Sequence, residues 1–246
     1  MEPEEYASIY HLEQSHWWYT GMREISLALL DALLPRKQGL TILDAGCGTG
    51  GMMLALAQYG SVIGIDFSPL ALKYCRERRL QRMAQASVTD LPFMEDAFDL
   101  VTCFDVLYHL GVADDTRALR EYCRVLRRGG HLLLRLPAFE WLRAAHDATV
   151  HTRHRYTREE VRAKVTQAGF RALRLSYANT LLFPLAVASR LAQRLQGKAK
   201  ERVSDVREAS PLMNAALRAP LALEARLLPK LELPVGLSIV CLAEKP

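Results

Sequence analysis

Ile42-Leu43-Asp44-Ala45-Gly46-Cys47-Gly48-Thr49-Gly50-Gly51 is the stretch whose reading decides the fold. A short apolar run, Thr41 to Leu43, ends in an acid and breaks into alternating glycines, and Met52 to Gln58 then reads as a helix. A strand, a turn without side chains and a helix N-terminus let a ligand lie against bare backbone, beside unpaired N–H groups. That is the layout of a nucleotide-type site.

Working outward, short β runs alternate with helical stretches. Strands are expected over 41–45, 61–66, 85–89, 99–105 and 131–136, with helices over 50–59, 69–81 and 114–128 between them. The last of these helices is read as stopping at Arg127-Arg128-Gly129-Gly130. Near-continuous apolar strands alternating with helices predict a mostly parallel sheet covered on both faces.

Upstream, 4–18 and 22–34 read as two amphipathic helices broken near Thr20-Gly21, the first carrying the cluster His16-Trp17-Trp18-Tyr19. Downstream, Thr157-Arg158-Glu159-Glu160 is a capping box opening a helix to Ala168, stopped by Gly169. Strands are expected again over 170–178 and 236–243. The Leu/Ala/Arg-rich segment 181–235 between them, interrupted by Pro184, Pro211, Pro220, Pro229 and Pro234, is too apolar for a linker and predicts several helices.

Composition sets the outer bounds. The chain has 246 residues, half of them hydrophobic and about a quarter charged, with a net charge of +5 and more Arg than Lys. This suits a mildly basic globular enzyme and excludes global disorder. Five cysteines, never paired as C-x-x-C, define neither a disulfide framework nor a zinc site. The acidic start Met1-Glu2-Pro3-Glu4-Glu5 lacks the basic flank of a signal peptide, and no apolar stretch reaches the ~18 residues of a membrane span. A cytoplasmic location is expected.

Gly46-x-Gly48-x-x-Gly51, with Asp66 closing the next strand, also satisfies the dinucleotide fingerprint. Two further acids pull elsewhere: Asp44 just before the glycines, within reach of a ligand ammonium, and Asp90 at the end of the third strand.

The chain resembles the class I S-adenosylmethionine-dependent methyltransferases. The resemblance is carried by Leu43 to Gly50, Gly64-Ile65-Asp66-Phe67-Ser68, Thr89-Asp90-Leu91-Pro92-Phe93, Phe98-Asp99-Leu100-Val101, Val106-Leu107-Tyr108-His109-Leu110 and Leu126 to Gly130, in the family's order over roughly residues 40–137. It implies a Rossmann-like α/β fold, a seven-stranded mostly parallel sheet with helices on both faces. A single domain is expected: an N-terminal helical lid (1–38), a cofactor-binding core (39–137), a substrate-side loop, helix and strand (138–180), a helical insertion (181–235) and a last strand (236–246).

The resemblance also implies the cofactor, S-adenosyl-L-methionine, and its contacts. The backbone of Gly46, Cys47 and Gly48 would pack on its methionine part, with Asp44 near the ammonium. Asp66 would accept both ribose hydroxyls, a two-oxygen match to a vicinal diol. Phe67 would cover one face of the adenine, Asp90 and the Leu91 N–H would take its edge, and the Phe104 carbonyl would receive the ammonium. Tyr19 and Arg23, with Trp18 on the acceptor side, resemble the lid of a small-molecule subgroup; aromatic faces there could cover a sulfonium and exclude water.

A base is useful when the acceptor is a hydroxyl. His109 follows the fourth strand, though Tyr108 stands where many members carry Glu. His151-Thr152-Arg153-His154-Arg155-Tyr156 resembles a substrate-side stretch of the family: His151 or His154 could be a base, Arg153 or Arg155 an anion clamp, and Tyr108 and Tyr156 would line the acceptor. No metal is expected. For 181–235 the readings are core packing, a roof over the acceptor, a dimer interface, or a membrane-surface contact with Arg190, Arg194, Lys198 and Lys200 toward phosphates or water.

The function expected is methyl transfer to a small or medium-sized acceptor, on oxygen, in specialised-metabolite or cell-envelope biosynthesis, by a monomer or homodimer. Nucleic acid is not an expected partner, since Asp105-Val106-Leu107-Tyr108 replaces the Asn/Asp-Pro-Pro-Tyr/Phe motif and basic residues form no stripe. A nicotinamide oxidoreductase or a non-catalytic cofactor-binding protein is the alternative.

Overall fold

In a computed structural model, which describes residues 1–34, 39–195 and 208–246, the glycine-rich turn joins the central strand to a short helix as the spacing predicts. The strands are β1 (Leu40–Ala45), β2 (Gly60–Asp66), β3 (Met83–Gln85), β4 (Phe98–Phe104), β5 (Leu126–Pro137), β6 (Arg171–Ala178) and β7 (Ser238–Glu244). They form one sheet in the order β3-β2-β1-β4-β5-β7-β6, in which β7 runs antiparallel to both its neighbours and the remaining pairs are parallel. The order reverses at β1, so the ends of β1 and β4 flank a crevice, where open α/β sheets take their ligands.

Two apolar layers cover the sheet. The helices are α1 (Pro3–Leu12), α2 (Trp17–Leu33), α3 (Gly51–Leu56), α4 (Pro69–Glu77), α5 (Asp115–Val125), α6 (Ala145–Thr149), α7 (Arg158–Gln167), α8 (Phe183–Leu195) and α9 (Pro211–Leu227), and α3 and α4 form a smaller cluster of their own through Met53, Leu72 and Cys75. On one face, Leu119 and Tyr122 of α5 and Val161 and Val165 of α7 pack on Leu43, Val101 and Leu132. On the other, Met22, Ile25 and Leu29 of α2 and Leu221 and Ala225 of α9 pack on Ile42, Leu100, Leu133 and Val240.

Several boundaries differ from expectation. The break between the first two helices falls at residues 13–16 rather than at Thr20-Gly21. His16 is the N-cap, its Nδ1 accepting from the Trp18 N–H at 3.3 Å, so Trp17, Trp18 and Tyr19 form the first turn of α2. Gly21 is no breaker: a methyl group there would collide with Leu221, so the glycine admits α9 against α2. The third strand lies at 83–85, and Ser87 to Asp90 is a turn. α5 stops at Val125, and Arg127-Arg128-Gly129-Gly130 belongs to β5, with Gly129 (φ +73°) and Gly130 hydrogen-bonded to Lys245. Of the expected capping box one half is formed: Thr157 accepts from the Glu160 N–H, while the Glu160 carboxylate is taken by His154; Gly169 follows the helix with φ +98°.

Within 181–235, α8 and α9 are helical, and neither Pro184 nor Pro220 breaks its helix. α9 survives an internal proline because Leu221, Ala225 and Leu228 are buried against α2 and the sheet. Arg218 of α9 pairs with Glu24, and the Asn214 carbonyl oxygen accepts from the Trp17 N–H at 2.9 Å. This part of the segment is therefore core packing. Lys198 and Lys200 lie outside the described residues, as does the side chain of Arg194. No helix among the described residues is long and apolar enough to cross a membrane.

Candidate active site

The site is built at the C-terminal ends of β1, β2, β4 and β5. Gly46, Gly48 and Gly50 all have positive φ (+84°, +54° and +86°), a conformation that side chains with a Cβ rarely adopt. Nothing lies within 4 Å of where a Cβ on Gly48 would project, so the backbone there is open to a ligand.

Asp44 is the chemical centre of the turn. It is 2 % exposed; its Oδ1 accepts from the Thr102 hydroxyl at 2.8 Å, while its Oδ2 is buried with no hydrogen-bond partner. Burial pushes its carboxyl up to about 7, against the pull of the Thr102 hydrogen bond. A buried acceptor without a donor is costly, and a ligand ammonium would satisfy it. The residues thus fit the amino-acid end of the cofactor that the sequence implies.

Asp66 closes β2 with Oδ1 accepting from the Ser68 N–H at 2.8 Å and Oδ2 from the Gly48 N–H at 3.0 Å. These bonds aim the carboxylate along the edge of the glycine turn. Phe67 beside it is 76 % exposed, as a ring would be before an adenine lies on it. Asp90 is exposed, but the Leu91 N–H differs from expectation: it donates to Glu121 Oε2 at 2.8 Å. Glu121, held in turn by Arg124, takes the place assigned to a ring nitrogen.

The end of α1 is tied to the glycine turn by a residue that no motif singles out. Glu13, just past α1, accepts from the Thr49 hydroxyl at 2.5 Å and from Arg78 Nη2 at 2.7 Å, and its side chain is 12 % exposed. Arg78 also donates to the carbonyls of Thr49 and Tyr10 at 2.8 Å and lies over the Tyr10 ring. Burial raises the Glu13 carboxyl despite these partners. Arg23, expected at the cofactor, instead donates to the Glu13 carbonyl at 3.1 Å and so holds α1 and α2 together. No motif flags Glu13, and no sequence signal sets it apart from the acids that precede it.

Trp18 and Tyr19, neighbours on the first turn of α2, contact one another edge to face at 4.9 Å. Beyond them lies a pair that the sequence reading also missed. Arg135 on β5, level with Phe104 on β4, has its guanidinium 5.3 Å from the Trp18 ring and 5.1 Å from the Phe104 ring. Its Nε and Nη2 donate to Asp105 at 2.8 and 2.6 Å. The lone Arg in the buried run Leu132-Leu133-Leu134-Arg135-Leu136 was the available signal, because a charge at such a position needs a partner.

The histidines are less suited to proton removal than their sequence positions suggested. His109 Nδ1 accepts from the Gly111 N–H at 2.9 Å, and its Nε2 lies 2.9 Å from the Met1 amino nitrogen. Burial, with that amino group and His151, lowers His109 to about 4. His151, with φ +53°, faces Met1 and pairs with Glu2 at 3.0 Å. His154 is committed elsewhere: its Nε2 lies 2.9 Å from Glu160, at the start of α7.

The expected anion clamps are also corrected. Arg153 pairs with Asp115 at 3.2 Å and Arg155 with Asp147 at 2.8 Å. Tyr156 is fully buried, its hydroxyl donating to Asp115 at 2.8 Å, and Lys164 reaches the same carboxylate at 2.9 Å. These cations hold Asp115 well below the usual carboxylate range even though burial opposes them. The segment is internal scaffolding: Asp115, Asp147 and Glu160 absorb its charge. Tyr108 is half-buried against the core beside it.

Comparison with known proteins agrees with this geometry. Residues 43–134 match the family described as Methyltransferase domain. The chain is 31 % identical over 166 residues to a probable S-adenosylmethionine-dependent methyltransferase of Mycobacterium tuberculosis, covering 65 % of this chain and 57 % of that relative. It is 31 % identical over 134 residues to a ubiquinone biosynthesis O-methyltransferase of Alkalilimnicola ehrlichii, covering 48 % and 53 % of the two chains. The alignments thus span little more than half of these relatives' length. In fold, an S-adenosylmethionine-dependent methyltransferase of Mesorhizobium loti superposes with a TM-score of 0.57 at 18 % identity, over 87 % of this chain and 95 % of that one.

Proposed function

We propose that the chain is a class I S-adenosylmethionine-dependent methyltransferase that transfers a methyl group from S-adenosylmethionine to a small or medium-sized acceptor, on oxygen. The observation that carries this reading is the orphaned, buried Oδ2 of Asp44 beside the open backbone of Gly48. A nicotinamide dinucleotide has no ammonium group to meet that oxygen, whereas the methionine end of this cofactor does.

When bound, the cofactor supplies a methyl group on a positively charged sulfur, ready for in-line displacement. This chain's residues bind and orient it: Asp44 takes the ammonium, Asp66 the ribose hydroxyls, the Gly46 to Gly48 backbone the methionine portion, and Phe67 and Asp90 the adenine. Trp18 and Tyr19 exclude water from above, which matters because alignment and dryness supply most of the rate in such a reaction. With His109 held on Gly111 and lowered to about 4, the acceptor is one that gives up its proton readily, such as a phenol or a carboxylic acid. The similarity to an O-methyltransferase supports the choice of oxygen, and biosynthesis of a specialised metabolite or envelope component is the setting we favour.

The test is calorimetry with S-adenosylhomocysteine and, separately, NAD. S-adenosylhomocysteine should bind and NAD should not. Asp66→Ala should weaken binding about tenfold or more, on the order of 1.4–3 kcal/mol for hydrogen bonds to a charged group. NAD binding, or an unaltered affinity in Asp66→Ala, would refute the assignment.

A further inference from the structure

We propose that Arg135 is the acceptor-reading residue, that the acceptor carries a carboxylate on an aromatic or apolar body, and that Asp105 fills the guanidinium fork as an internal stand-in. The proposal rests on the methyltransferase reading above and deepens it.

Arg135 stands at the C-terminal end of β5, two strands from β1, and hence about 10 Å from the glycine turn. That places it beyond the cofactor's own anchors, Asp44 and Asp66, on the side left for the second substrate. Its side chain is 11 % exposed, with its guanidinium 5.3 Å from the Trp18 ring centroid and 5.1 Å from that of Phe104. A guanidinium bordered by two aromatic rings and held by an ion pair is restricted in orientation and suits a planar, two-oxygen partner. The same rings would border the apolar body attached to such a carboxylate.

The present partner is held at a backbone cost. Asp105 has φ +58°, the left-handed region that non-glycine residues rarely enter, and it directly follows Phe104. Its side chain is 21 % exposed, more than that of the Arg it serves. A carboxylate on a strained turn, reachable from outside, can yield its place to a ligand's carboxylate. The arginines first expected to clamp an anion differ from Arg135 in their partners: Arg153 and Arg155 are paired with Asp115 and Asp147, whose side chains are only 7 % and 5 % exposed and less open to exchange than Asp105.

The experiment uses the full chain saturated with S-adenosylhomocysteine, with 4-hydroxybenzoate as probe and 4-hydroxybenzamide as its uncharged control, read by calorimetry. The benzoate should bind and the amide should not. Asp105→Asn, which empties the fork of its anion, should tighten benzoate binding about tenfold, and Arg135→Gln should abolish it. Asp105→Gly is the second variant: it removes the same carboxylate, and its backbone suits positive φ, so it folds at least as readily. Benzoate binding no better than the amide in Asp105→Gly overturns the proposal. So does an Arg135→Gln chain that loses S-adenosylhomocysteine affinity while keeping 5′-methylthioadenosine, which would assign the fork to the cofactor's carboxylate. Failure of the unaltered chain to bind S-adenosylhomocysteine would instead refute the methyltransferase reading.

Discussion

Replacing Asp44 with asparagine should make the empty protein more stable at alkaline pH and a poorer binder of its cofactor. The carboxyl is raised from 3.8 to about 7, chiefly by burial. Between those values the folded state holds a proton that the unfolded state has released, so stability falls as pH rises through the window. A difference of about three pH units at 1.36 kcal/mol per unit comes to roughly 4 kcal/mol, fully felt above pH 7. The structure names the origin: Thr102 satisfies one oxygen and nothing satisfies the other. The substituted amide carries no charge to bury, so urea denaturation from pH 5 to pH 9 should show a falling stability for the unaltered protein and a flatter profile for Asp44→Asn. Calorimetry with S-adenosylhomocysteine supplies the second half. Affinity should rise from pH 6 to pH 8 as Asp44 ionises opposite a ligand ammonium, and this rise should vanish in the variant. A variant less stable than the original at pH 8, or one that keeps the pH-dependent affinity, would refute the reasoning.

Other expectations follow from the packing and from the histidines. Gly21→Ala should destabilise the chain by about 1–3 kcal/mol through the collision with Leu221, and Leu221→Ala by about 2–5 kcal/mol. Because both act at one contact, the double variant measured by denaturant titration should cost clearly less than the sum. The pH–rate profile of methyl transfer should lack a limb near pH 6.5 attributable to His109, since its ring is lowered to about 4; a His109→Gln profile that loses such a limb would restore it as the base. Asp147→Asn should destabilise by about 3–5 kcal/mol, leaving Arg155 buried without its counter-charge, a change read by thermal unfolding.

The strand, glycine turn and helix start at the centre of the sheet were legible because local chemistry dictates them. An apolar strand, an acid, positive-φ glycines and a helix start are neighbours in sequence, and each demands particular residue types. Charge pairing was not, because it is settled in three dimensions. His151 to Tyr156 reads as an array of cations and bases, yet Asp115, Asp147 and Glu160 neutralise it from three separate elements. The start of α2 was misplaced for a related reason. Gly21 looks like a helix breaker until Leu221, two hundred residues on, explains why no larger side chain fits. Arg135 went unseen inside an apolar strand that otherwise reads as pure core.

The brace between α2 and α9 reaches the glycine turn. α2 opens with Trp18 and Tyr19 and then runs along α9, with Asn214 bonded to the Trp17 N–H at its first turn. Through Arg23, which donates to the Glu13 carbonyl, and Glu13, which accepts from the Thr49 hydroxyl, α2 is also tied to the glycine turn. Substitutions along α9 should therefore move the aromatic first turn of α2 and the glycine turn together, like the two ends of one lever.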